Sequence, residues 1–346
     1  MRNWLLCLLF LCFLVIPVSA EELIAPEAPD EVQSLLPKDQ DSFGEGIWYI
    51  IRSAICMIGP DISKFGGICL SVIGASMLIS MLQSYDGKSK SIVHLCGAIC
   101  VAGIMLSPAN NLVSLATDTI RQLSDYGKLL LPVMTAALAS QGGVSSSAAL
   151  YVATVGFDAV ITGCILHLMI PGIYLFLSIS LVLCCLEDAM VQKLRDLIRW
   201  GMTWGLKISL YAIFGYLSIT GVVTGTADQT AVKAAKLTIS GMVPVIGNLL
   251  SDASETVIVS AGIVKNAVGI YGILALIAIV AVPFLKIGLQ YILLKFTGTI
   301  CEMFSCKSIQ RIMDSFTVAM GFLLAMTGTV CLILLISIVC FMKGMG

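Results

Sequence analysis

Long apolar runs, separated by short polar segments, fill most of this chain. Six of the runs approach the roughly 20 apolar residues that a membrane-spanning helix needs. They cover residues 65–82, 92–107, 168–186, 201–223, 272–294 and 316–341. The runs are continuous and do not alternate with polar residues as the strands of a membrane β-barrel do. We therefore predict an all-α polytopic membrane protein with about six spanning helices and a single transmembrane domain over 47–346.

Two of the connections between these runs, 108–167 and 224–271, are long and contain shorter apolar segments. Within the first, the apolar residues of 109–125 fall on one helical face, which predicts an amphipathic helix on the outer membrane surface. That face consists of Leu112, Leu115, Ala116, Thr119, Ile120 and Leu123. Residues 47–58 form another short apolar segment, which we interpret as interfacial.

Residues 129–139 and 148–166 follow the amphipathic segment, on either side of a stretch rich in glycine and serine. An 11-residue helix over 129–139 is only about 16 Å long. We therefore predict a re-entrant hairpin over 129–166, with two full spans as the alternative; both leave the orientation of the later helices unchanged. Residues 241–271 of the second connection are open to the same two interpretations.

The basic residues of the connections predict the orientation in the membrane. Lys88, Arg195 and Lys307 represent the basic clusters that follow the first, third and fifth runs, and such clusters mark the cytoplasmic side. Residues 1–20 have the charged start, apolar core and small-residue end of a signal sequence, either cleaved or retained as an anchor. The mature N-terminus then lies outside the cytoplasm, and the acidic, proline-bearing segment 21–46 is a flexible external tail.

A parallel internal repeat with a period of 112 residues is suggested by matched prolines. Pro132 and Pro244 are 112 residues apart, and so are Pro171 and Pro283. The repeats would cover about 92–203, 204–315 and, in part, 316–346. Coincidence in a biased composition is the alternative, although proline is scarce, with 10 residues in all.

Composition and motifs argue against an enzyme and against nucleic-acid binding. The chain is 58% hydrophobic and 12% charged, and its net charge of -1 offers no large basic surface for phosphates. The sequence contains no phosphate-binding loop, dinucleotide fingerprint, HExxH or GxSxG motif. Only two histidines are present, and most of the 13 cysteines lie in apolar runs. We predict no catalytic site, no cofactor and no metal site.

Charged and proline residues inside the apolar runs are the candidate functional positions. Charged groups at membrane depth are functional candidates by default, although lysines near span ends also extend to water. Prolines kink spans and free backbone carbonyls, and the polar cluster at 251–255 either caps a helix or contacts a partner. The candidates are Asp158, Lys207, Lys286, Asp252, Glu255 and the four matched prolines, Pro132, Pro171, Pro244 and Pro283.

One part of the sequence resembles a known family. The stretch VPVIGNLLSDASETV and the following KNAVGIYG, within 235–296, resemble stage III sporulation protein AE of endospore-forming bacteria. The order of hydrophobic segments extends the likeness over most of the mature chain. No catalytic motif defines that family, so the resemblance implies a role and a location rather than a reaction.

The resemblance implies a multi-pass subunit in the mother-cell membrane around the forespore. Its expected partners are the lipid bilayer and other stage III sporulation membrane proteins, which together with a forespore protein form a secretion-like channel; self-association stays open. Two other functions remain: a self-sufficient secondary transporter of a small solute, and an assembly scaffold without transport. The lack of an ATPase motif implies that any energy comes from a partner or a gradient.

Overall fold

The computed structural model describes residues 26–36, 43–85, 90–140, 144–185, 188–211, 215, 247–304 and 307–343, and every long element among them is a helix. The helices are α1 (Asp30–Gln33), α2 (Phe43–Tyr85), α3 (Lys90–Ser140), α4 (Val144–Cys164), α5 (Ile170–Cys185), α6 (189–211), α7 (Gly247–Met303) and α8 (Lys307–Lys343). A π-helical segment, Ile165–Met169, joins α4 to α5. The predicted all-α class is confirmed.

The helices form an up-and-down bundle whose two ends differ in chemistry. At one end, Ala98 of α3, Leu181 of α5 and Ile312 of α8 line a common cavity. Arginines of α6 and α8 also lie there, and we call it the basic end. At the other end, the far end, Gly269 of α7 lies against Met134 of α3 and Met342 of α8.

The apolar stretches of the helices are longer than a bilayer is thick. Five stretches are long and apolar enough to span a membrane, and they contain 33 to 45 residues. At 1.5 Å per residue these are about 50–68 Å long, whereas the hydrocarbon core is about 30 Å thick. The stretches are Phe43–Leu82, Leu95–Ala139, Tyr151–Leu183, Asn266–Met303 and Ile309–Met342.

Five of the six predicted spans fall within or overlap these stretches. The remaining one, 201–223, begins in α6 and continues outside the described residues. The predicted interfacial segment 47–58 is not separate from the first span, because α2 continues through Pro60. Proline is tolerated in a long helix when packing against neighbouring helices compensates for the lost hydrogen bond.

The predicted surface helix over 109–125 is part of α3, and its apolar face packs inside the bundle. Leu112, Ala116, Ile120 and Leu123 are all at most 3% exposed. The helical face was predicted correctly, but it is buried inside the bundle, where α3 packs mainly against α7 and α8. Its position on the outer membrane surface was therefore wrong.

The predicted re-entrant hairpin over 129–166 is also wrong, because its two arms are parts of longer helices. Its first arm is the end of the 51-residue helix α3. Its second arm continues through the π-helical segment into α5, so that 144–185 forms one rod. The π-helical segment precedes Pro171, which has no N–H to donate, and the Ile170 N–H donates to the Ile165 carbonyl.

Part of the predicted external tail lies against the bundle. Within 26–36, the side chains of Ala28, Val32 and Leu35 are buried, and α1 packs on α7. Burial of these three side chains offsets part of the chain entropy that is lost when the segment is ordered. The predicted signal sequence, 1–20, lies outside the described residues, and the domain boundaries stay predictions.

The predicted repeat is not confirmed. Pro171 and Pro283 both lie in helices that run from the far end towards the basic end, as a parallel repeat requires. Pro171, however, follows a π-helical segment, whereas α7 is α-helical on both sides of Pro283. Pro132 lies within α3, and its predicted counterpart Pro244 lies outside the described residues.

Candidate functional site

An ion pair joins α2 to α7 about midway along the bundle. The Lys286 Nζ lies 2.9 Å from the Asp61 Oδ2, and the two side chains are 29% and 19% exposed. Asp61 directly follows Pro60, and Lys286 lies one turn after Pro283. Opposite charges attract each other more strongly when they are partly removed from bulk water. The pair therefore holds together two of the longest helices of the bundle.

A second polar group is buried between α3 and α4. Asp158 is 4% exposed. The Ser124 hydroxyl donates to its Oδ2 at 2.8 Å, and the Thr162 hydroxyl donates to its Oδ1 at 3.4 Å. Asp125 and Lys128 form an exposed ion pair at 2.8 Å on the neighbouring turn of α3. The buried carboxyl is thus held by hydroxyl donors from two helices.

We expect Asp158→Ala to lower the free energy of unfolding by about 1–2 kcal/mol, because the Ser124 hydroxyl loses its acceptor. Asp158→Asn retains an acceptor oxygen and should cost much less. The comparison can be made by denaturant unfolding of the detergent-purified chain. Equal losses in the two variants would show that the hydrogen bond from Ser124 does not stabilise the bundle.

Lys207 lies at a different place, on the exposed side of α6. Its Nζ is 6.0 Å from the centroid of the Trp204 ring, which favours a cation–π contact. Trp200 lies one turn earlier, with its ring 6.1 Å from that of Trp204. Both tryptophans are exposed, and exposed tryptophans are typical of membrane–water interfaces. The structure therefore favours the interpretation that Lys207 extends to water.

The matched prolines do not converge on one site. Pro132 and Pro171 are exposed on α3 and α5. Pro283 lines a cavity of about 590 Å³ together with Val32 and Leu35 of the N-terminal segment and the charged face of α3, which consists of Asp118, Arg121, Asp125 and Lys128 and contributes the first three to the cavity. Pro244 lies outside the described residues.

The polar cluster at 251–255 is not at a helix start. Helix α7 begins at Gly247, so Asp252 and Glu255 lie within its first three turns rather than at its N-cap. The predicted cap was therefore wrong, because the helix extends further towards its N-terminus than the polar residues suggested. The side chains of both residues lie outside the described part of the chain, and their role in contacting a partner stays a prediction.

The three charged candidates whose side chains the structure describes, Asp158, Lys207 and Lys286, lie apart from one another. Asp158 lies between α3 and α4, Lys286 lies between α2 and α7, and Lys207 lies on the exposed side of α6. Each has its own local partner or access to water, and this arrangement suits structural linkage better than a shared path for a proton. Among the described residues, no group of three or more His, Cys, Asp or Glu side chains could hold a metal ion.

Sequence reasoning missed Asp61, the partner of Lys286. The available signal was its position: it is an acidic residue in an apolar helix, directly after a proline. Ser124 was missed as well, because a serine gives no sign of its partner 34 residues away. Three further buried polar side chains, those of Tyr126, Thr154 and Gln290, have no hydrogen-bond partner among the described residues.

Comparison with known proteins identifies the family of this bundle. The sequence model of the family described as stage III sporulation protein AE matches residues 40–344. A relative of that name from Bacillus subtilis (strain 168) is 31% identical over 176 residues, which are 51% of this chain and 44% of the relative. The match thus spans less than half of the relative's length. No solved structure matches the chain. Because the family model matches most of the chain, this membrane protein belongs to the stage III sporulation protein AE family.

Proposed function

We propose that this protein is a membrane subunit of a secretion-like channel complex between mother cell and forespore, and that it is required for late forespore development. The observation that carries the proposal is family membership over residues 40–344. The protein would lie in the mother-cell membrane surrounding the forespore. Its partners would be other stage III sporulation membrane proteins.

The length of the helices supports a role that extends beyond one bilayer. In α3, residues 91–117 form 27 consecutive positions without Asp, Glu, Lys or Arg, which is about 40 Å of helix. The next three turns expose Asp118, Arg121, Asp125 and Lys128. A membrane placed at the basic end would leave this charged face and the far end outside the hydrocarbon, where a partner protein could reach them.

The proposed orientation follows from charge. Arg195, Arg199 and Arg311 lie at the basic end, and excess basic charge favours the cytoplasmic side of a membrane. The N-terminal segment 26–36 and the charged face of α3 then lie towards the space between the two membranes. This is the side from which a forespore protein would approach.

A self-sufficient transporter is the second candidate, supported by the Asp61–Lys286 ion pair at membrane depth. A subunit is favoured over a transporter because the interior of the bundle is packed with large apolar side chains. Met105, Ile120, Leu123, Met134 and Phe316 are each at most 1% exposed. A polar path through this core would require opening between α3, α7 and α8.

Copurification from sporulating cells tests the proposal. We expect the tagged full chain, solubilised in mild detergent after crosslinking, to retain other stage III sporulation membrane proteins. The same tag on an unrelated polytopic membrane protein of the same cells is the control. The purified chain alone in vesicles should move no solute.

Recovery of the chain without any stage III protein would contradict membership of the complex. Solute flux by the isolated chain, lost in Lys286→Met, would favour the transporter instead. A complex that assembles normally around Lys286→Met would show that the ion pair is not required for assembly.

A further inference from the structure

A basic cavity of about 520 Å³ lies at the basic end, lined by residues of α5, α6 and α8. Three arginines, Arg195, Arg199 and Arg311, line it together with one carboxylate, that of Asp314. Arg195 also pairs with Asp196 at 3.0 Å. The lining of the cavity therefore contains more positive than negative groups, in a chain whose net charge is -1.

An elongated groove of about 860 Å³ adjoins this cavity and shares Arg199, Asp314 and Val318 with it. The groove runs along α6, α7 and α8, and its walls are mainly apolar and aromatic. Lys207 and Lys295 add two further cations along it. The apolar lining includes Leu206, Leu210, Phe284, Tyr291, Phe322 and Leu332.

Two tryptophans mark the depth of the groove in the membrane. Trp200 and Trp204 of α6 are 59% and 47% exposed, and such indole rings prefer the level of the lipid headgroups. Arg199 precedes the first tryptophan, whereas Leu206 and Leu210 follow the second. The basic cavity therefore lies at headgroup level, and the apolar groove continues towards the hydrocarbon.

We propose that the cavity and groove together bind one anionic phospholipid, with its phosphate at Arg199 and Arg311 and an acyl chain along Phe284 and Leu332. The guanidinium group matches phosphate oxygens in geometry and charge. Basic pockets between membrane helices on the cytoplasmic side bind anionic headgroups. A zwitterionic lipid brings its own cation to a site that already has excess positive charge, and it binds more weakly.

The test is a titration of the detergent-purified full chain with short-chain phosphatidylglycerol, short-chain phosphatidylcholine or inorganic phosphate. The melting temperature is measured at each concentration. We expect phosphatidylglycerol to raise the melting temperature most, since a ligand stabilises the state that binds it. The double variant Arg199→Gln/Arg311→Gln should weaken this apparent affinity by about tenfold or more. Lys193 lies on α6, like Arg199, but outside the cavity. Lys193→Gln should therefore leave the affinity for phosphatidylglycerol unchanged.

A second variant separates a lipid from a free anion. Ala325 lines the groove and is exposed, so Ala325→Trp should fill the space of the acyl chain and weaken phosphatidylglycerol binding while all the arginines remain. Ile208→Trp, on the exposed side of α6 outside the groove, is its control.

Three results would overturn the proposal. Equal stabilisation by the two lipids would show that the site has no preference for an anionic headgroup. Inorganic phosphate could raise the melting temperature as much as phosphatidylglycerol does, and by the same amount in Ala325→Trp. That result would assign the cavity to a soluble anion. A wild-type chain whose melting temperature is unaffected by every probe would show that the cavity and groove bind no anionic phospholipid.

Discussion

Lys286→Met is expected to destabilise the bundle by about 2–3 kcal/mol, because it leaves the carboxylate of Asp61 without its cation. Breaking a fully buried ion pair costs about 3–5 kcal/mol, and the partial exposure of these two side chains places the expected loss below that range. Methionine fills a similar volume, so the loss reports charge rather than packing. The measurement is the free energy of unfolding of the detergent-purified chain.

The double variant Lys286→Met/Asp61→Leu should recover most of this loss, since no uncompensated charge then remains between α2 and α7. Lys64→Met is the matched control, because Lys64 is an exposed residue one turn from Asp61 on the same helix. It should change the free energy of unfolding by about 0.5 kcal/mol at most. If the single and double variants lose the same stability, the ion pair does not link the two helices.

Gly272→Val should cost about 2–3 kcal/mol, because the buried Leu130 side chain of α3 occupies the space that a Cβ would need at this glycine. A Cβ at Gly272 would lie 2.6 Å from the Leu130 Cδ2. Valine is stiff about its first side-chain torsion and cannot turn both methyl groups away. A Cβ at Gly127 of α3 would meet the Leu334 Cδ2 of α8 at 2.7 Å, so at both positions a leucine of one helix packs against a glycine of the next.

Gly156→Val provides the control for this prediction, because no atom lies within 4 Å of a Cβ built there. It should be close to neutral in the same unfolding assay. Combining Gly272→Val with Leu130→Ala should cost less than the sum of the two single changes, because the smaller side chain vacates the contested space. Strict additivity would mean that the two residues are not in contact.

The class of the fold could be predicted from the sequence, because long continuous apolar runs are rarely stable outside a membrane and therefore indicate membrane-spanning helices. The boundaries of the helices were harder. Residues 109–125 have one apolar and one charged face, and a pattern of this kind does not say whether lipid or protein covers the apolar face. The length of 129–139 suggested a hairpin only because α3 was assumed to end at the membrane surface. Packing within the bundle allows α3 to continue for 51 residues.

Only part of the candidate site could be predicted, because a local sequence pattern shows single unusual residues but not their partners. Lys286 was found because a charge in an apolar run is conspicuous. Its partner Asp61 lies 225 residues earlier, and no local pattern indicates the pairing. The basic cavity was missed because the basic clusters after the third and fifth runs, to which Arg199 and Arg311 belong, were used to predict the orientation rather than a binding site. Their convergence depends on α6 and α8 lying side by side.

We propose that the basic end faces the cytoplasm while the charged face of α3 lies outside it. Single cysteines at Lys193 and Asp125, two exposed positions, test this in a variant depleted of native cysteines and treated with a membrane-impermeant thiol reagent. In cells with the outer face of the membrane accessible, we expect labelling at Asp125→Cys and protection at Lys193→Cys, with both labelled after permeabilisation. Labelling at Lys193→Cys and protection at Asp125→Cys before permeabilisation would contradict the account.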